Sequence, residues 1–211
     1  MQKPNISTSL GSDMASQLIQ ACTNGDLSAV IQLITDQALT PSDVRDPSGH
    51  TLLHLACRHG HLDITKYLIK EQKCNPEATI CNGITPLHLA CKSGHLHIAR
   101  CLITEHKCNP HCMDSDGYTP LHAASESNNV ELIRCLIREH ECDPQVGDSN
   151  GNTPLHYASE CGQLNVVHCL ISNFHSDALR KGGLDIVVHT CQGGQLAIAK
   201  HVDNKYPNML F

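Results

Sequence analysis

Apolar residues recur along the chain in adjacent pairs one helical turn apart. Ile64 is followed by Leu68 and Ile69, Ile98 by Leu102 and Ile103, Leu132 and Ile133 by Leu136 and Ile137, and Val166 and Val167 by Leu170 and Ile171. An i, i+1, i+4, i+5 stripe lies along one side of an α-helix, whereas a strand would alternate its faces at every residue. Each stripe therefore predicts a helix. Ahead of it runs a shorter helix-forming stretch, such as Leu87 to Cys91, which stops at Gly94. Gly25, Gly60, Gly162 and Gly194 mark the same stop in other copies. Glycine suits the left-handed conformation that ends helices, and Asn128, which holds the position in one copy, is expected to adopt it too. Polar stretches such as Cys74-Asn75-Pro76, Cys108-Asn109-Pro110 and Cys142-Asp143-Pro144 follow the second helices and predict turns.

A short phrase sets the period of these helix pairs. Thr-Pro-Leu-His begins at Thr85, Thr119 and Thr153, with a blurred copy at Thr51, and each Thr follows the previous one by 34 residues. Gly49, Gly83, Gly117 and Gly151 stand two positions ahead of them. Glycine allows a tight turn, the threonine hydroxyl can cap a helix, and proline loses nothing at the first helical position, where its N–H would have no partner. A fixed period in this range predicts a stacked repeat array, since one such unit cannot bury its apolar face alone.

Gly-x-Thr-Pro-Leu-His, a short helix, a glycine, a longer helix and a turn-rich connector together resemble the ankyrin repeat. The resemblance covers roughly residues 13 to 205. It implies an all-α repeat solenoid of stacked helix-turn-helix units joined by hairpin-like turns. Family repeats are usually one residue shorter, and the extra residue is expected after the second helix, near Lys73, Lys107 and Glu141, where an insertion is cheap. The expected boundaries are a disordered lead-in at 1–12, a degenerate repeat at 13–47, four clear repeats at 48–81, 82–115, 116–149 and 150–181, and a degenerate repeat at 182–211. In the last of these Asp185 replaces the capping Thr. The family also implies that His54, His88, His122 and His156 tie neighbouring loops together.

Composition narrows the function. Lys and Arg number 15 against 21 Asp and Glu, for a net charge of −6, and only six residues are aromatic, so neither phosphate binding nor base stacking is favoured. No apolar run reaches the length of a membrane span. No phosphate-binding glycine loop, nucleophile elbow or metalloprotease pair occurs, so no enzyme and no cofactor are expected. The 13 cysteines fall largely into columns of the repeat, Cys74, Cys108 and Cys142 in one and Cys101, Cys135 and Cys169 in another, and read as free apolar fillers. His106, Cys108, His111 and Cys112 form the densest donor cluster, but they lack the paired CxxC spacing of structural zinc. No metal site is expected there, and a metal or redox sensor is the weakest functional reading.

In ankyrin arrays the turns before each Thr and the exposed positions of the first helices form a partner-binding groove. Carried onto this chain, the resemblance implies contacts from Arg58, His59, Ile84, Lys92, Ser93, Tyr118, Glu126, Ser127, Asn152, Glu160 and Cys161. Arg58 and Lys92 precede Glu126 and Glu160 in one column, a change of sign that could orient a bound segment, and Tyr118 is expected as an exposed aromatic anchor. The resulting expectation is a monomeric, non-catalytic adaptor, scaffold or inhibitor that binds another protein, in the cytoplasm or alternatively the nucleus. The alternative is a targeting module of a longer polypeptide whose effector lies elsewhere.

Overall fold

A computed structural model describes residues 6–37 and 40–172, which form five consecutive helix pairs of an all-α repeat solenoid. The pairs are α1 (Ile6–Asn24) with α2 (Leu27–Gln37), α3 (Leu52–His59) with α4 (Leu62–Lys70), α5 (Pro86–Lys92) with α6 (Leu96–Arg100), α7 (Pro120–Glu126) with α8 (Val130–Arg134), and α9 (Pro154–Glu160) with α10 (Leu164–Ser172). Among the described residues there is no strand, only an isolated bridge between Arg45 and Thr51. The expected last repeat at 182–211, with Asp185 and Gly194, lies outside the described residues. The stretch 1–12 was expected to lack structure, yet α1 starts at Ile6. Its buried Leu18, Ala21 and Cys22 anchor the helix, and extending an existing helix needs no new nucleus.

The first helices begin as the phrase dictates. Thr119 stays extended (φ −106°, ψ 166°), its hydroxyl accepts from the His122 N–H, and Pro120 opens α7. Gly60 closes α3 in the left-handed conformation at φ 85°, and Gly25, Gly94 and Gly162 also have positive φ. Asn128 does not take that conformation. Instead α7 ends on extended Ser127 (φ −82°, ψ 157°), whose hydroxyl donates to the Ala124 carbonyl at 2.7 Å. Asn129 then caps α8, accepting from Leu132 N–H at 3.0 Å while its amide donates to the Gly94 carbonyl at 2.8 Å. Ser127 and Asn129 thus close one helix and open the next where the other copies use a left-handed glycine.

The connectors after the second helices share a backbone feature at the residues where the extra position was expected. Lys73, Lys107 and Glu141 hold φ of 55°, 60° and 54°, a region that side chains other than glycine rarely enter. After each, a cysteine N–H reaches back six residues at 3.0 Å: Cys74 to Leu68, Cys108 to Leu102 and Cys142 to Leu136. This closure spans one residue more than the bond of a Schellman motif, and it turns each cysteine back against its own helix, where the column is buried. Helix α6 runs into a π-helical turn at Cys101–Glu105 and α8 into another at Cys135–Glu139, each enclosing one more residue per hydrogen bond than an α-turn.

The packing divides the described chain into two compact units, one reaching Ala90 and including His97–Cys108, the other comprising Cys91–Leu96 and the residues from Asn109 onward. In the first, α1 packs on α2 and α3, and α3 on α4, around Leu18, Leu52, Leu53, Ile64 and Leu68. In the second, α7 packs on α8 and α9, and α10 on α8 and α9, around Leu121, Leu132, Ile133, Leu136 and Leu170. Ile64, Leu68, Leu132, Ile133, Leu136 and Leu170 are stripe residues of the second helices, and Leu18, Leu52, Leu53 and Leu121 meet them from the first helices.

Candidate binding surface

The loops ahead of the first helices are held by the phrase histidines. In the second unit the Thr119 N–H donates to His122 Nδ1 at 3.1 Å, so the ring proton must sit on Nε2, which donates to the Asn152 carbonyl at 3.0 Å. His54 bonds the same way in the first unit, with Nδ1 2.8 Å from Thr51 Oγ1 and Nε2 3.2 Å from the Ile84 carbonyl. Each ring therefore joins its own helix start to the next loop, the tie that the resemblance implies. Burial drives His54 down to about 4 and lowers His122 in the same direction, which keeps both rings neutral.

A second set of anchors escaped the sequence reading. Asp46 Oδ1 accepts the backbone N–H groups of Ser48 and His50, Asp114 those of Asp116 and Tyr118, and Asp148 those of Asn150 and Asn152, all at 2.8 to 2.9 Å. Such side-chain-capped turns tighten each loop. Burial opposes ionisation of Asp148, but bonds from the Tyr157 hydroxyl and from Asn152 and Asn150 outweigh it and hold the carboxyl below its ordinary range. The signal was present in the chain: an Asp lies three residues before Gly49, Gly117 and Gly151, with Ile80 in the fourth copy.

In the first unit Arg58 and His59 are exposed at the end of α3, where the His59 ring stacks on His61 at 6.3 Å. Ile84 is half-buried beside the 3₁₀ turn Cys81–Gly83. In the second unit Lys92, Ser93, Glu160 and Cys161 are exposed and Asn152 is half-buried. Ser127 is buried, its hydroxyl spent on the helix end.

Tyr118 differs from the exposed anchor expected of it. Its ring packs edge-on against Tyr157 at 5.1 Å and over His122 at 5.6 Å, and its hydroxyl bonds to Glu126. Burial, then the Glu126 carboxylate, push its pKa up. Glu126 also meets Lys92 Nζ at 2.9 Å. Part of the charge order read from the column is thus neutralised within the molecule. At exposed Cys161 partial burial and the neighbouring Glu126 and Glu160 raise the thiol pKa, which disfavours the thiolate.

Donor groups capable of holding a metal meet elsewhere than at the quartet considered from sequence. Cys108 is buried and its thiol donates to the Pro76 carbonyl at 3.8 Å, while His106 lies with Cys101 and Glu105. Among the described residues the second such group is Cys135, Glu139 and His140.

Helix pairs, capped loops and histidine ties together define a helical repeat protein. The family profile described as Ankyrin repeats (3 copies) matches residues 18–112 and 100–182. The chain belongs to the ankyrin-repeat family. Ankyrin repeats generally mediate protein–protein interaction and are typically non-catalytic. Comparison with curated proteins finds no match. No helix among the described residues is long and apolar enough to cross a membrane.

Proposed function

We propose that this protein is a non-catalytic interaction module that binds another protein through the exposed ends of its first helices and the adjoining loops. The observation that carries this reading is a division of labour. Thr, His and Asp side chains are spent on fixing the loops, while Arg58, Lys92, Ser93, Glu160 and Cys161, at matching places in the repeats, face solvent. A rigid frame presenting interchangeable side chains can recognise a polypeptide without chemistry of its own. Acting as an adaptor, a scaffold, an inhibitor, or the targeting part of a longer polypeptide would use the same surface.

The test compares wild-type bait with Glu160→Lys and Arg58→Glu baits in capture from cell extract across a salt series. Glu126 is the poorer probe, because its reversal would also break the Lys92 and Tyr118 contacts. A specific partner should be retained by wild type, lost or weakened several-fold by a reversal, and altered in its salt dependence, as expected for charges at an interface rim. An identical protein set on all three baits defeats the surface assignment.

A further inference from the structure

We propose that the two π-helical turns are sites for a divalent transition-metal ion of the zinc or cobalt class, one formed by Cys101, Glu105 and His106 and the other by Cys135, Glu139 and His140. Both groups read Cys-x-x-x-Glu-His, 34 residues apart. In an α-helix residues i and i+4 share a face while i+5 swings away. A π-turn closes through an i to i+5 bond, and at the first site the His106 N–H donates to the Cys101 carbonyl at 3.3 Å. All three donors are thereby gathered above one turn. The repeat before shows the same juxtaposition with other residues: Gln72 N–H bonds the Tyr67 carbonyl at 3.3 Å, and the Gln72 amide donates to the Tyr67 hydroxyl at 2.9 Å.

The geometry and the donor set point to the same ligand. In each group a thiol sulfur, a carboxylate oxygen and an imidazole nitrogen all lie within 4.8 Å of one another. His106 Nε2 and His140 Nε2 are both shut off from solvent without a hydrogen-bond partner. A buried polar nitrogen left unsatisfied is costly and calls for a reason, and here it recurs in two repeats beside the same two donors. Sulfur and imidazole select zinc-class ions over magnesium and calcium, which require oxygen. Three protein donors leave a fourth position for water or an incoming side chain. At the first site the ion must compete with Lys66 and Lys70, whose ammonium groups lie 3.0 and 3.1 Å from Glu105.

Cobalt(II) titration of the reduced full chain reads this directly, through thiolate-to-metal charge-transfer absorption. The expected result is a band that saturates at one equivalent per site, is bleached by zinc, is halved in His140→Gln and is lost when His106→Gln is added. Glu139→Gln and Glu105→Gln, at exposed positions, provide the same comparison should a histidine variant unfold, with far-ultraviolet circular dichroism reporting the fold. Lys66→Gln combined with Lys70→Gln should tighten the first site several-fold. Absence of the band, or its survival in the folded double variants, overturns the proposal, and an unchanged first-site affinity in the lysine variant overturns Glu105 as a ligand.

Discussion

An aspartate that accepts two backbone N–H groups and a phenol hydroxyl ties its loop at three points. Asp148 is in that position, its Oδ2 receiving the Tyr157 hydroxyl at 2.7 Å while its Oδ1 takes Asn150 and Asn152. Asp148→Ala is expected to lower the unfolding free energy by about 1–3 kcal/mol, since it leaves half-buried donors unpaired, and Asp148→Asn by less because one acceptor oxygen survives. Denaturant midpoints at constant slope measure the difference. The Thr and His positions were legible in the chain because the bonds between them span three residues, although each ring also reaches a carbonyl 30 residues on. The fate of Tyr118 was not, because its contacts come from Glu126 and Tyr157, eight and 39 residues further on, and only packing brings them together.

At the scale of an element, each of three second helices is followed by a non-glycine residue in the left-handed conformation. Lys107 sits at φ 60°, where a Cβ is unfavourable, so Lys107→Gly should raise stability by roughly 0.5 kcal/mol once the greater entropy of an unfolded glycine is subtracted. A β-branched Lys107→Val should instead lower the melting temperature, and paired thermal scans decide between the signs. That the connectors turn after each second helix could be read from their polar residues, because turn chemistry is local. The role of Asn128 could not, because α7 closes on Ser127 and the next residue to be fixed is Asn129, which caps α8 and reaches the Gly94 carbonyl 35 residues away.

For the molecule as a whole, the neutral histidines make stability depend on pH. His54 falls to about 4 in the folded chain, against about 6.5 when unfolded, and His122 is lowered too. Between those limits the unfolded chain binds more protons than the folded one, so their contribution is fully present above about pH 6.5 and is lost progressively as the pH falls toward 4. Thermal unfolding should therefore shift downward between pH 7 and 5 in the wild type. The shift should be smaller in His54→Gln, which has no proton to take up there, and an identical pH slope in both would refute the linkage.

The helix pairs, their order and their period were written in the chain, because caps, stops and apolar stripes act over one or two turns of backbone and repeat themselves. Which side chains remain available to a partner was decided only by folding. Glu126 and Lys92 neutralise each other, Ser127 is buried, and cysteine, glutamate and histidine converge on a π-turn that no period reveals. Exposure and pairing depend on neighbours a whole repeat away or on the exact winding of a turn, and neither is carried by the identity of a residue or its place in a motif.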